Sequence, residues 1–373
     1  MLATFLSDIE DFRRRQGQRY SLHHTLLFSF LAICCNANSY RQIGIFIQTH
    51  FPKLRDYFSL DWRHPPHHTT IRNHIMGVCT EDLEAACRAF CQHLLPADAF
   101  ETDSYNHIAV DGKTLCGSDD PACAKRPLQA LSFFFAARQL ILGQVAIAEK
   151  TNEIPVFQQL LCELQIPDAL FSADAMHMQL ETFRIAEKQG HGLFIQLKDN
   201  QKELAEDVRQ LVKLERPDDT HTDAIEGAHG RIEQRTAQVY HHAFDDHLID
   251  DKWLPYIRTV VHIRRRRVVK STLSGQWSAS IEQALYLSNR QLSAKQANRI
   301  ARDHWAIENK NHYVRDTAFE EDKRKIRKNS FNFSIITTMV LNFFRANKLN
   351  HIKQQRFAFA LNGTDIYRFP HVL

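Results

Sequence analysis

Between about residues 107 and 213, apolar runs of strand and helix character follow one another in an order that few folds accept. IAVDGKTL, LSFFFAARQ and ILGQVAIAEK read as three strands, with a break at Arg138 to Leu140 that marks a hairpin. A helix at about 153 to 164 comes next, then the short strand LFSADA, a helix around Leu180 to Lys188, the strand GLFIQL, and a helix from about 200 to 213. Three strands, then strand and helix in alternation, predict an α/β layout in which the first three strands run antiparallel.

That is the strand and helix order of a ribonuclease H-like sheet, where the first and fourth strands lie side by side. Asp111 and Asp174, each ending an apolar run, would then face each other. A carboxylate at the end of an apolar strand is costly to bury unless something pairs with it. Taken singly, each has a plain structural reading: Asp111 before Gly112 suits a turn, and Asp174 precedes a helix whose N-terminus favours an acid.

Flanking segments have other periods. Residues 20 to 95 read as all helical, with Leu22, Leu26, Leu27, Phe30 and Leu31 at helical spacing and a second helix in SYRQIGIFIQTHF. HPPHHTTIRNHI then stops the chain with two prolines, a Thr caps, and a helix comes after it with Arg72, Asn73 and His74 on its polar face. A short helix, a turn and a basic, amide-rich helix is the pattern of a helix-turn-helix DNA reader. From 215 to 290 the sequence reads as a β-rich insertion, after which Lys295 to Tyr313 and Ser330 to Lys348 read as helices. The expected domains are a helical DNA-binding domain at 1–100, the first part of the catalytic core at 101–214, the insertion at 215–293 and the rest of the core at 294–373.

With 373 residues, 44% hydrophobic and 24% charged, the chain can bury a sizeable core and has no disordered composition. The longest apolar run near the start, Thr25 to Cys35, is too short to cross a bilayer. No secretory signal is evident, and the eight cysteines, with Cys34 beside Cys35 and Cys87 one turn from Cys91, form no secreted framework. A cytoplasmic protein with reduced, mostly buried thiols is expected; Cys116 and Cys123 lack a second ligand pair for zinc. The net charge is only +4, but cations cluster at Arg13–Arg15, at Arg264, Arg265, Arg266 and Arg267, and at Lys323, Arg324 and Lys325. Such runs release counterions on contact with phosphates, and three of them point to nucleic acid.

On the helix read around Glu308, i±4 spacing puts His304 and His312 on its face, with Arg315 at i+7. An acid among imidazoles and a guanidinium suits a metal ion beside a phosphate. Three carboxylates, Asp111, Asp174 and Glu308, could together hold hard divalent cations with positions left for water and phosphate. A zinc face of His304, Glu308 and His312 is the weaker alternative, because its spacing matches no zinc hydrolase motif.

The blocks IAVDGKTL, GQVAIAEKTNEIP, SADAMHMQ, LKDNQ, HGRIEQR and HWAIENKNHYVRDTAFEEDKRKIRK occur in that order. With RRRQGQRYSLHHTLLFSFLAI, SYRQI and HHTTIRNHI before them, they resemble the DDE transposases of the H-repeat-associated (ISAs-type) insertion-sequence family, from about residue 11 to the C-terminus. The resemblance implies an α/β fold with a ribonuclease H-like catalytic core, a β-rich insertion and an all-helical N-terminal domain. It also implies a catalytic and metal-binding triad of Asp111, Asp174 and Glu308 with two Mg²⁺ ions, for which Mn²⁺ may substitute, and no small-molecule cofactor. Relatives place an Arg where His304 stands and a Lys where Arg315 stands; the resemblance suggests phosphate contact for both, with Lys113, Asn309 and His312 as further candidates. Departures are Cys116 for Arg, His177 and Met178 for Gly-Cys, and Tyr313 for Trp. The expected partner is double-stranded DNA, as terminal inverted repeats and as target, bound by a homodimer with no membrane involved. The other reading is a domesticated or decayed transposase that binds specific DNA without strand transfer.

Overall fold

The computed structural model of the chain describes residues 2–96, 98–100, 105–119, 126–148, 152–228, 230–241, 249–271 and 274–361. Cys123 and residues 149–151 of the GQVAIAEKTNEIP block lie outside them. In chain order come α1 (Leu2–Ser7), α2 (Leu22–Cys34), α3 (Tyr40–Tyr57), α4 (His68–Gly77), α5 (Thr80–Leu94), β1 (Asn106–Leu115), β2 (Leu128–Phe135), β3 (Leu140–Ile147), α6 (Glu153–Glu163), β4 (Ala169–Ala173), α7 (Leu180–Lys188), β5 (Gly192–Leu197) and α8 (Lys202–Leu214). They are followed by β6 (Asp219–Thr222), β7 (Glu226–Ala228), β8 (Arg231–Tyr240), β9 (Thr259–Lys270), β10 (Trp277–Ser288), α9 (Ala294–His304), a π-helical turn (Ile307–His312), α10 (Tyr313–Ala318), α11 (Ser330–Ala346) and α12 (Ile352–Leu361). The α/β class, with a ribonuclease H-like core and helices preceding it, is the one expected. Contacts divide the chain into one unit of Met1–Ala99, Gly112–Glu153 and Glu308–Leu373, and another of Phe100–Asp111 and Ile154–Ile307.

In the first unit α2 is apolar on nearly every side, and every residue from Thr25 to Cys34 is buried, so it is the central helix. Its Thr25 and Ser29 hydroxyls donate back one turn, to the Ser21 carbonyl at 3.0 Å and the Thr25 carbonyl at 2.7 Å, which removes the cost of burying them. Helix α11 is buried from Phe331 to Phe344 and packs on α2, α5 and β3. Its buried amides are paired. The Asn342 side chain accepts from the Ile141 amide (2.9 Å) and donates to the Ile141 carbonyl (2.8 Å), and Asn332 donates to the carbonyls of Ile75 and Val78. The N-terminal helices therefore share one core with the β2–β3 hairpin and α11.

Three local expectations change here. The connection between α3 and α4 spans residues 58–67, far longer than the three- or four-residue turn of a helix-turn-helix. His67, rather than a Thr, caps α4 by accepting from the Thr69 amide. His74 belongs to the buried face of α4, bonded to Thr25 (3.1 Å) and Arg13 (2.5 Å), while Arg72 and Asn73 are exposed.

The second unit is a sheet in the order β1-β4-β5-β10-β9-β8-β6, with β7 paired to β8. β1, β4 and β5 are parallel; β10, β9 and β8 are antiparallel and extend the same sheet. The strands read as an insertion thus widen the core sheet by edge pairing with β5. Helix α9 begins with a capping box between Ser293 and Gln296 and lays Ala294, Ala297, Ile300 and Ala301 on Leu170, Phe194, Val239, Val261 and their neighbours. Among the seven described cysteines, all free, Cys34, Cys87 and Cys91 are buried and Cys79, Cys116 and Cys162 are exposed. Among the described residues no helix is long and apolar enough to cross a membrane.

Candidate active site

The site of the second unit arises from strand periodicity. β1 and β4 pair in parallel with Asn106 opposite Ala169 and Ala109 opposite Ser172, an offset of 63 residues. Asp111 and Asp174 are also 63 residues apart, so the register that joins the strands brings both aspartates to the same level, Asp111 within β1 rather than at its end and Asp174 one residue past the end of β4. Side chains alternate across a sheet, so His107, Ala109 and Asp111 share one face with Leu170, Ser172 and Asp174. That is the face covered by α9. The spacing that sets Ala297, Ile300 and Ala301 on the sheet brings His304, at the end of the helix, over Ser172 and Asp174.

Four side chains of this face form a line. His107 Nε2 lies 2.7 Å from Ser172 Oγ, Ser172 Oγ lies 2.9 Å from His304 Nδ1, and His304 Nε2 lies 3.6 Å from Asp174 Oδ1. The His304 contact holds the Asp174 carboxyl below the usual carboxylate range, against the partial burial that would raise it. Asp174 keeps 59% of its side chain exposed, whereas His304 shows 14%. Burial, with His304 and Arg299 adding repulsion, pushes the His107 imidazole down to about 3, so it is neutral. His107 and Ser172 were missed as site residues in the sequence. The signal was there: they sit four and two positions before the aspartates, on the same strand face.

Glu308 opens the first unit's third segment and is exposed. The expectation that His304, Glu308, His312 and Arg315 share a helical face fails, because residues 307–312 form a π turn. Its wider step, i to i+5, rotates the residues after it out of the i+4 register. His312 is buried, with its imidazole pushed to about 3 by burial and the charges of Lys113 and Arg315. Arg315 has no exposure and is consumed internally: its guanidinium donates to Glu321 at 2.6 and 2.8 Å, to Thr338 at 2.6 Å and to Ser334. Arg324 donates to the Phe319 carbonyl and Thr337, again buried. Lys113 is held by Asp316 at 2.7 and 2.8 Å, near Asp322. These three cations are built into the unit rather than offered to a phosphate. Asn309 is exposed.

The remaining cations separate into exposed sets. In the first unit Arg72 and Lys323, from distant parts of the sequence, line one groove with Arg41, Lys325 and Thr69. In the second unit the arginine run lies on β9 and alternates. Arg265 pairs with Glu282 and lies over Trp305, and Arg267 stands opposite Glu233. Arg264 and Arg266 are exposed on the other face, where their cross-strand neighbours are Gln283, Ile281, Thr236 and Gln234, none of them acidic.

Among the described residues no group of three or more His, Cys, Asp or Glu side chains could hold a metal ion as it stands. Two aspartates on one sheet face suit Mg²⁺, which binds through one or two carboxylates and completes its shell with waters and substrate phosphates.

Residues 102–343 match the family described as the transposase DDE domain, and residues 3–91 match its associated N-terminal domain. The chain belongs to the DDE transposase family. It is 28% identical to the H repeat-associated protein YhhI of Escherichia coli K12 over 355 residues, covering 93% of this chain and 91% of that one. The figures are the same for YbfL of that strain. Among solved structures it is similar to a piggyBac transposase synaptic complex with hairpin DNA, at a TM-score of 0.43 and 10% identity, covering 98% of this chain and 76% of that one.

Proposed function

We propose that this transposase cuts and joins DNA by divalent-cation-assisted phosphoryl transfer, with Asp111, Asp174 and Glu308 as its metal-holding carboxylates. The observation that carries this reading is the shared 63-residue offset of the β1–β4 register and the two aspartates, on one sheet face. When bound, Mg²⁺ or Mn²⁺ supplies Lewis-acid stabilisation of the phosphoryl oxygens and activates the attacking oxygen. The chain's own residues do the rest. Asp111 and Asp174 offer hard oxygens from neighbouring strands, His304 steadies Asp174, and Glu308 adds the third carboxylate of the family pattern. The groove of Arg41, Arg72, Lys323 and Lys325, which Glu320 also lines, and the β9 pair Arg264 and Arg266 give a phosphate backbone two cationic surfaces to track. Terminal inverted repeats are the expected DNA, bound by a homodimer that brings two ends together.

The test is Asp111→Asn and Asp174→Asn, made separately, with Mg²⁺-dependent cleavage of end-containing DNA and Mn²⁺ calorimetry as readouts. Both variants should fold, lose cleavage and bind Mn²⁺ more weakly. Cleavage by either variant at the wild-type rate refutes the assignment. A wild-type protein that binds the DNA and never cuts it would favour the reading as a DNA-binding descendant.

A further inference from the structure

The line of His107, Ser172, His304 and Asp174 has a direction, which its protons determine. The serine hydroxyl carries one hydrogen, so it can donate to one imidazole and must accept from the other. The end facing Asp174 decides which. A neutral His304 facing a carboxylate with an Nε2–H is attracted to it, and with a bare Nε2 it is repelled. With the proton on Nε2, His304 Nδ1 is an acceptor and takes the Ser172 hydroxyl at 2.9 Å. Ser172 Oγ then accepts from His107 Nε2–H at 2.7 Å. The last atom is His107 Nδ1, which is buried and has no hydrogen-bond partner among the described residues.

The opposite direction would point a lone pair at Asp174. The buried His107 Nδ1 lacks a partner among the described residues in either direction, as an N–H or as a bare acceptor, so the Asp174 end sets the direction. Burial also keeps His107 neutral, and a doubly protonated ring would place a proton on Nδ1.

We propose that Ser172 and His107 are positioning residues that fix His304 as its Nε2–H tautomer, so that it holds one Asp174 oxygen and leaves the other oriented toward the bound cation. This rests on the reading of Asp174 as a metal ligand. The role matches that of groups that orient a metal-bound side chain, whose loss typically weakens metal affinity about 10- to 100-fold.

The experiment uses full-length protein with four variants: Ser172→Ala, His107→Leu, His304→Gln and His304→Asn. In metal-free wild type, long-range ¹H–¹⁵N correlation should give His304 a protonated Nε2 and a bare Nδ1. In Ser172→Ala that preference should be lost, and Mn²⁺ affinity should fall about 10- to 100-fold while the circular dichroism spectrum is unchanged. His107→Leu should act in the same direction. If either fails to fold, the His304 pair still decides. The amide of Gln reaches the Nε2 position and should keep Mn²⁺ affinity within a few-fold of wild type, whereas Asn reaches only the Nδ1 position and should not. The proposal is overturned if Ser172→Ala keeps both the tautomer and the affinity, or if Gln and Asn at 304 behave alike. Asp174→Asn separates the two levels. If it leaves Mn²⁺ binding intact, the metal-ligand reading itself has failed; if it abolishes binding while Ser172→Ala does not, only the relay has.

Discussion

Arg315→Met is the substitution whose effect the structure fixes most tightly. Arg315 is wholly buried and Glu321 is 5% exposed, joined through two hydrogen bonds of 2.6 and 2.8 Å, with Thr338 and Ser334 taking the remaining N–H groups. Methionine fills much of the same space but leaves the Glu321 carboxylate without its main partner. Breaking a buried pair in this way costs about 3–5 kcal/mol. The double variant Arg315→Met, Glu321→Met removes both charges and should return to within about 1 kcal/mol of wild type, since apolar replacement of a buried pair is often neutral or stabilising. Acid gives a second signature. Burial alone would raise the Glu321 carboxyl, but Arg315 outweighs it and holds the group at about 2, against 4.5 for a free side chain. A depressed carboxyl stabilises the folded state above pH 4.5, and that contribution is lost as pH falls toward 2. The single variant's deficit is therefore largest at neutral pH and shrinks on acidification, as the stranded carboxyl, raised by burial once Arg315 is gone, takes up a proton. Urea denaturation monitored by circular dichroism at pH 7.5 and pH 4 measures both. A loss under about 1 kcal/mol at pH 7.5, or a double variant no better than the single one, would refute the reasoning, because a buried pair cannot lose one member that cheaply.

Two further outcomes are expected of the same structure. Arg264→Glu with Arg266→Glu should weaken binding to duplex DNA and reduce the salt dependence by about 0.9 for every phosphate no longer neutralised; Arg265→Glu with Arg267→Glu should leave that slope alone and lower thermal stability, since Arg265 pairs with Glu282 and lies over Trp305. Equal slopes in fluorescence-anisotropy titrations at several salt concentrations would refute the division of the run into two faces. Burial pushes His24 and His74 down to about 4 and His107 and His312 to about 3, so all four are neutral in the folded chain while the unfolded chain takes up protons below about 6.5. Their contribution is complete above pH 6.5 and declines on acidification, so the melting temperature should fall between pH 6.5 and 4.5, less so in His74→Gln; a flat profile over that window would contradict it.

Periodicity made much of this legible. The order of strands and helices put the first strand beside the fourth, as β1 and β4 are, and the helix expected at Leu180 to Lys188 is α7 to the residue. What failed did so where sequence spacing is silent about tertiary partners. An i+4 count assumes an α-helix, and nothing in IENKNH announces a π turn. Basic residues look alike in a sequence whether or not a partner waits for them. Arg315 finds Glu321 six residues on and Arg324 finds the Phe319 carbonyl, whereas Arg72 stays exposed. His107 and Ser172 were readable by counting back in twos, but only once the opposing strand and the helix above it were known.

The first unit draws on three stretches of chain, and this sets a timetable for its synthesis. α2 and α5 leave the ribosome early, yet α11, which covers them, begins only at Ser330. At about 5–20 residues per second, α2 waits on the order of 15–60 s for this last part of its cover while the whole second unit is made, with α1, α3 and α4 already beside it. Nascent chains of this transposase carry an open apolar face for that interval, and any copy of the gene truncated before α11 leaves that face open for good.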